Sequence, residues 1–298
     1  MPHDIVIARY AENLDWVGQI PAGFSVHVYN KGETITSAPA LQRADRIVTL
    51  ANSGRESDTY LRHILGTSTF SDNDGFTVFV QGDPFEHSPD LLALLHDTDL
   101  WQARQPLSWC WLQSKNLPPA DILSRETSGF MAGSRVRAEL FSLSSWSQLQ
   151  FTDPGARTVC DMYLALHDLP EGTNIAAHFL HRCGLADFAD QARQHLVGRF
   201  SYGALFGLRT SMLRALPMAS LELALEAANG HKVYGYVLER LWLHLFGEPF
   251  VLPTTGTAAA AENVSHLATR FVPAAPPTPT HLRLVPAIKR RISRWAQN

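Results

Sequence analysis

The sequence predicts an α/β protein whose mostly parallel sheet is flanked by helices. Two observations carry this reading. Four short apolar, β-branched runs recur in the first ninety residues, and each stops at polar or glycine residues. Helical stretches lie between some of them, and short buried runs alternating with helices mark a parallel sheet covered on both faces.

The first run, 4–8 (DIVIA), closes on Arg9 and Tyr10. The second, 25–29 (SVHVY), alternates and closes on Asn30, Lys31 and Gly32. The third, 46–50 (RIVTL), leads into Ala51, Asn52, Ser53 and Gly54, and the fourth, 76–80 (FTVFV), into Gln81, Gly82 and Asp83. Ser53 followed by Glu56 matches a capping box, which predicts a helix from Gly54. Tyr60, Leu61, Ile64 and Leu65 then form its apolar face. Arg55 and Glu56 fall in the first turn, beside a strand's carboxyl end, where helix N-termini attract anions and α/β sheets bind ligands.

Farther along, 88–100 reads as a helix, 101–111 is aromatic and ambiguous, and 175–196 reads as helical with an interruption near Gly184. Residues 234–246 are strongly amphipathic, with Tyr234, Val237, Leu238, Leu241, Trp242, Leu245 and Phe246 at helical spacing. That stripe puts Arg240 on the opposite side, with Glu239 and His244 on its two flanks. Residues 1–252 are expected to form one α/β domain, with 1–100 and 101–252 as its halves. An Ala/Pro-rich linker follows over 253–280, including PAAPPTPT at 273–280. The tail 281–298 carries Arg283, Lys289, Arg290, Arg291 and Arg294 without an acid, and Ile292 and Trp295 give it an apolar side. It fits a solvated terminal helix, or a peripheral contact with a membrane surface or an acidic partner.

Composition removes several classes. Lys+Arg number 25 against 28 Asp+Glu, a net charge of -3, so nucleic-acid binding is not expected. With 45% hydrophobic and 18% charged residues the chain is not a disordered one. No stretch approaches ~18 consecutive apolar residues, so no membrane-spanning helix is expected. The first residues carry Asp4, Arg9 and Glu12 and no long apolar run, so a secretory signal is not expected either. Cys110, Cys160 and Cys183 are far apart and odd in number, which reads as buried structural thiols in a reducing, cytoplasmic compartment.

No dinucleotide fingerprint, P-loop, His-Glu-x-x-His or Gly-x-Ser-x-Gly motif is present. His178 and His181 would meet on one helix, but two histidines without a third partner make a weak metal site. Position is the stronger signal. Arg9, Tyr10, Asn30, Lys31, Asn52, Arg55, Glu56, Gln81, Asp83 and His87 all fall at or just after strand ends, which a parallel sheet gathers into one crevice. Turns are polar in any protein, but strand ends built only for stability need fewer charges.

Four phrases in order, IVIARYAENLDWV (5–17), VYNKG (28–32), NSGRESDTYLRHIL (52–65) and VFVQGDPFEH (78–87), resemble a family of fungal and bacterial proteins of unassigned function. Its members carry a Gly-Arg-Glu block ending in Thr-Tyr-Leu, then a Gln-Gly block ending in His. The resemblance covers about the first 95 residues. Downstream, YGALFGLRTSML (202–213) and GYVLERLWLHLFGEP (235–249) are similar to the C-terminal signature of bacterial polysaccharide-type glycosyltransferases of the GT-A fold. That resemblance implies a Gly-Ala-x-Phe strand, Gly203 and Ala204 lining an acceptor pocket, and Glu239 near the reacting centre.

Under the glycosyltransferase reading, a sugar passes from a nucleotide-sugar donor to a saccharide or glycoconjugate hydroxyl. Arg9, Lys31, Arg55 and the capped helix would hold the diphosphate, with Asn30, Asn52, Gly54, Glu56 and Gln81 around them. Tyr10 and Asn13 would meet the base, Glu239 or Asp83 would take the acceptor proton, and His87 and Arg240 would stand on the acceptor side. Asp83 would also hold Mn²⁺ or Mg²⁺, although the Asp-x-Asp pattern of such enzymes is reduced here to one acid. Asp72/Asp74 and Asp97/Asp99 have the spacing but read as solvated turn or cap residues. Two other classes remain open: a non-catalytic nucleotide or carbohydrate binder on the same scaffold, and a metal-dependent hydrolase using Asp83 and His87.

Overall fold

The computed structural model of the chain describes residues 2–66, 75–108, 138–149 and 154–251. The linker and tail, Cys110, and the Asp72/Asp74 pair lie outside these residues. Four parallel strands form as the sequence predicts: β1 (His3–Arg9), β2 (Phe24–Asn30), β3 (Arg46–Thr49) and β4 (Phe76–Gln81). Between them run α1 (Ala38–Arg43) and α2 (Arg55–Gly66). Ser37 starts α1, its Oγ accepting the Ala40 N–H at 3.3 Å, and Pro39 stands in the first turn, where its missing N–H costs nothing.

The predicted helix at 88–100 shrinks to α3 (Leu91–Leu94) and a 3-10 turn at Thr98–Leu100. Its apolar residues still pack, but Thr98 is drawn away to bond His3 Nε2 at 3.2 Å, beneath the start of β1. Two further strands, β5 (Arg104–Pro106) and β6 (Glu139–Ser142), precede a helical second half. That half contains α4 (Pro154–Leu166), α5 (Ile175–Arg182), α6 (Ala186–Arg193), β7 (Val197–Phe200), β8 (Phe206–Arg209), α7 (Met218–Gly230) and α8 (Val233–Leu245). The interruption predicted near Gly184 is the break between α5 and α6.

The main sheet has the order β3-β2-β1-β4-β8-β5. Strands β1 to β4 are mutually parallel, whereas β8 runs antiparallel to both β4 and β5. Side chains divide the sheet's two faces by the strand period of two. In register, Ile5 and Ile7 meet Val26 and Val28 on one side and Val78 and Val80 on the other. This face is covered by Leu14, Trp16, α1 and α3. The opposite face presents Val6, Phe79, Phe206 and Leu208 to α2 and to the whole second half. The two-stranded β6-β7 sheet adjoins that larger core.

Helix α8 corrects the sequence reading in one respect. Its stripe is buried as expected, but so is Arg240, at 3% exposure, with its guanidinium 4.5 Å from the centre of the Phe200 ring. The helix is enclosed by β7, α2, α4 and α7, so no solvent side was left for Arg240. His244 is fully buried too. Its Nε2 accepts the Arg199 N–H at 2.8 Å and its Nδ1 faces the Glu248 carbonyl at 2.7 Å, a pairing that requires neutral imidazole.

Burial pushes His244 down to about 4 and His63 down to about 3. In the unfolded chain both return to about 6.5. Between those values the unfolded state binds more protons, so stability is complete above about pH 6.5 and falls as pH falls toward the folded values. From pH 6.5 to 5 each histidine removes about 2 kcal/mol. Urea unfolding followed at pH 7 and pH 5 should show this loss, and His244→Gln should make the fall shallower.

Candidate active site

Strand order reverses beside β1, so the crevice of this sheet opens outside the carboxyl ends of β1 and β4. Both ends are tightly tied. The Glu12 carboxylate turns back to accept the Tyr10 and Ala11 N–H groups at 2.6 and 3.1 Å. Gly82 gives its N–H to the Ala8 carbonyl at 2.8 Å and takes the Trp16 indole N–H at 2.9 Å. Asp83 follows, exposed, its Oδ1 receiving only the weak Phe85 N–H at 3.4 Å. Tyr10 is 54% exposed at the rim. Asn13 and Asn52 are also exposed, Asn13 bonding Asp15, and Gln81 is half-buried.

Three of the predicted donor-site residues serve the scaffold. Arg9 Nη1 donates to Asn30 Oδ1 at 2.7 Å and to the Glu33 carbonyl, while its Nε reaches the Glu12 carbonyl. Asn30 returns its amide to the Gly32 and Glu33 carbonyls. Together they shape the loop after β2. Lys31 is buried: its ammonium pairs with Asp58 at 2.9 Å and donates to the carbonyls of Ser53 and Arg55 at 2.6 and 2.5 Å. The predicted capping box therefore does not form. Gly54 and Arg55 both turn left-handed, at φ 59° and 52°, whereas an N-cap residue is normally extended.

This turn aims Arg55 across the crevice at α8. Its Nη1 donates to the Tyr236 hydroxyl at 2.8 Å, its guanidinium lies 4.4 Å over the Tyr236 ring, and its Nε stands 3.5 Å from Glu56. One helical turn beyond Tyr236, Glu239 Oε1 accepts the Gly203 N–H at 2.9 Å. Gly203 and Ala204 form a second left-handed pair, at φ 64° and 54°. The implied Gly-Ala-x-Phe strand is thus a 3-10 turn over Tyr202–Ala204, and β8 begins only at Phe206. A Cβ on Gly203 would stand 2.6 Å from His87, whose ring stacks on Tyr202 at 5.9 Å between centroids.

Arg55, Glu56, His87, Gly203, Ala204 and Glu239 therefore share one cluster, although they span 185 positions of sequence from first to last (239 less 55, counting both ends). The buried Tyr60 forms its floor against Phe79 and Trp242. Burial, with Glu56 and Glu239 close by, holds its hydroxyl well above the ordinary tyrosine range. Tyr60 and Tyr236 were not among the sequence candidates. Tyr60 belongs to an apolar helical stripe, the ordinary pattern of a core residue, and Tyr236 lies outside the stripe of its helix with no motif to mark it.

Elsewhere the spacing signals separate. His178 turns inward to Tyr163 at 2.9 Å while His181 is exposed. Asp97 and Asp99 flank Thr98 at the amino edge of the sheet, opposite Asp83. Among the described residues no group of three His, Cys, Asp or Glu side chains is placed to hold a metal ion. Cys160 and Cys183 are buried free thiols, and burial pushes Cys183 up to about 12. No helix among the described residues is long and apolar enough to cross a membrane. No family model matches the chain, and no curated protein matches it.

Lys31 supplies a test of the scaffold assignment. Removing one partner of a buried ion pair costs ~3–5 kcal/mol, so Lys31→Met should lower unfolding free energy by about that much. Measured by urea titration, Lys31→Met with Asp58→Leu should recover part of the loss. An unchanged stability would return Lys31 to the list of ligand-binding residues.

Proposed function

We propose that this protein is a glycosyltransferase of GT-A-like architecture that takes its sugar from a nucleotide diphosphate sugar. The observation that carries the reading is the convergence of Arg55, Glu56, His87, Gly203 and Glu239 beside the β1/β4 crevice, since both halves of the sequence contribute to it. The diphosphate is held by Arg55 and the first-turn amides of α2, whose twelve residues give it a positive N-terminal end. Arg9 and Lys31 act indirectly, by shaping the loops that present Arg55. Tyr10, exposed at the end of β1, is the stacking surface for the base.

Glu239 is the general base. Gly203 fixes one of its oxygens, and the carboxylate takes the acceptor hydroxyl proton as that oxygen bonds to the anomeric carbon. The bond from the anomeric carbon to the phosphate oxygen breaks, and the nucleoside diphosphate leaves with the electron pair. Asp83 offers one exposed carboxylate, which suits an Mg²⁺ or Mn²⁺ ion completing its oxygen shell from the diphosphate and water. Such an ion would supply charge neutralisation on the leaving group. The saccharide or glycoconjugate acceptor enters over His87 and the Tyr202–Ala204 turn. A cytoplasmic site of action fits the free thiols, and the basic tail 281–298 would bring the enzyme to membrane-borne acceptors.

Isothermal titration with UDP, GDP and CDP, with and without Mn²⁺, tests the donor site. One nucleotide should bind, and Arg55→Ala should weaken it at least tenfold, with a lower melting temperature because buried Glu56 loses its ion-pair partner. Glu239→Gln should retain binding and lose more than a hundredfold in sugar transfer. Binding without any turnover of the corresponding nucleotide sugars would make the protein a binding module, and absence of binding to all three nucleotides would overturn the proposal.

A further inference from the structure

A second cavity lies away from this crevice, where the end of α5 and the end of α7 meet the start of α8. It measures ≈ 330 Å³, within the range of small-molecule pockets. Leu166 and Leu223 give it an apolar wall, and Arg182, Glu226, His231 and Tyr234 bring polar groups to its lining. The Arg182 guanidinium lies beside the Tyr234 hydroxyl, which is itself tied to His167 Nε2 at 2.9 Å. Arg182 and Glu226 are not ion-paired with each other, and neither forms an ion pair among the described residues. One cavity is thus lined by a positive and a negative side chain that are not paired with each other.

The structure assigns to this cavity, we propose, a small zwitterion with an apolar body, of which an α-amino acid with a large apolar side chain is the simplest form. Its carboxylate meets Arg182, whose planar fork matches two carboxylate oxygens. Its ammonium meets Glu226, and its side chain lies against Leu166 and Leu223. A ligand with one charge engages only one of the two cavity charges, so both charges contribute to selection. The ligand would rest on the first turn of α8, which also carries Tyr236, with Glu239 one turn farther along. The inference is independent of the proposed transferase activity.

Titration calorimetry on the full chain with L-phenylalanine and L-leucine is the test. Phenylpropionate and phenethylamine serve as probes lacking one charge each. At least one of the two amino acids should bind saturably at one site, with both single-charge probes at least tenfold weaker. Arg182→Gln and Glu226→Gln, both exposed positions, should each weaken the amino acid at least tenfold while keeping the melting temperature and the nucleotide affinity of the parent. No saturable binding of either amino acid would overturn the inference. So would a single-charge probe binding as tightly as the zwitterion, or an affinity unchanged in both variants.

Discussion

The buried ammonium of Lys31 is the constraint on which the crevice depends. Taking a lysine and an aspartate out of water costs several kcal/mol per ion, and only a full set of partners offsets it. Here Lys31 finds Asp58 and two carbonyls, while Asp58 also receives Arg62 and Asn229. Burial lowers the affinity of Lys31 for its proton, with Asp58 working the other way. Burial alone would raise Asp58, yet the donors around it hold it below the usual carboxylate range. Satisfying that charge bends the backbone at Gly54 and Arg55, and the bend sends Arg55 toward α8. The loop after β2, the start of α2 and the cation at the crevice are therefore one mechanical unit.

The second left-handed pair shows the same logic with the charge reversed. A non-glycine residue in this conformation costs about 1 kcal/mol or more. Ala204 is held there because Gly203 gives its N–H to Glu239 and backs against His87. Arg55 and Gly203 thus hold the same face of α8 from two sides, three residues apart at Tyr236 and Glu239. Strain placed at two ends of one cluster suits a site that must keep its charges aimed before a ligand arrives.

Strands β1, β2 and β4 were legible because a largely buried strand must be rich in apolar residues, and β3, an exposed edge strand, through its β-branched Ile47, Val48 and Thr49. The Gly184 break was legible for a similar local reason. The capping box failed because Ser53 and Glu56 report only on local chemistry, whereas the deciding partner is Lys31, more than twenty residues earlier. Arg240 was misplaced because helical periodicity assumes a broad solvent side, and α8 keeps only a half-buried edge at Tyr236 and Glu239. Arg55, Glu56 and His87 were singled out by strand-end position, and Gly203, Ala204 and Glu239 by resemblance. Their grouping was not, since nothing near Arg55 in sequence announces Tyr236.

The placement of β8 bears on how the chain can be made. Strand β4 finds its outer neighbour only at Phe206–Arg209, so during synthesis it must wait for more than a hundred further residues. Until then β4 is an edge with open backbone groups, the kind of surface that pairs with other chains. A fragment ending near residue 100 would keep the β1/β4 crevice in name yet lack the strand that closes it, together with Gly203 and Glu239. The second half thus supplies the outer neighbour of β4 along with Gly203 and Glu239.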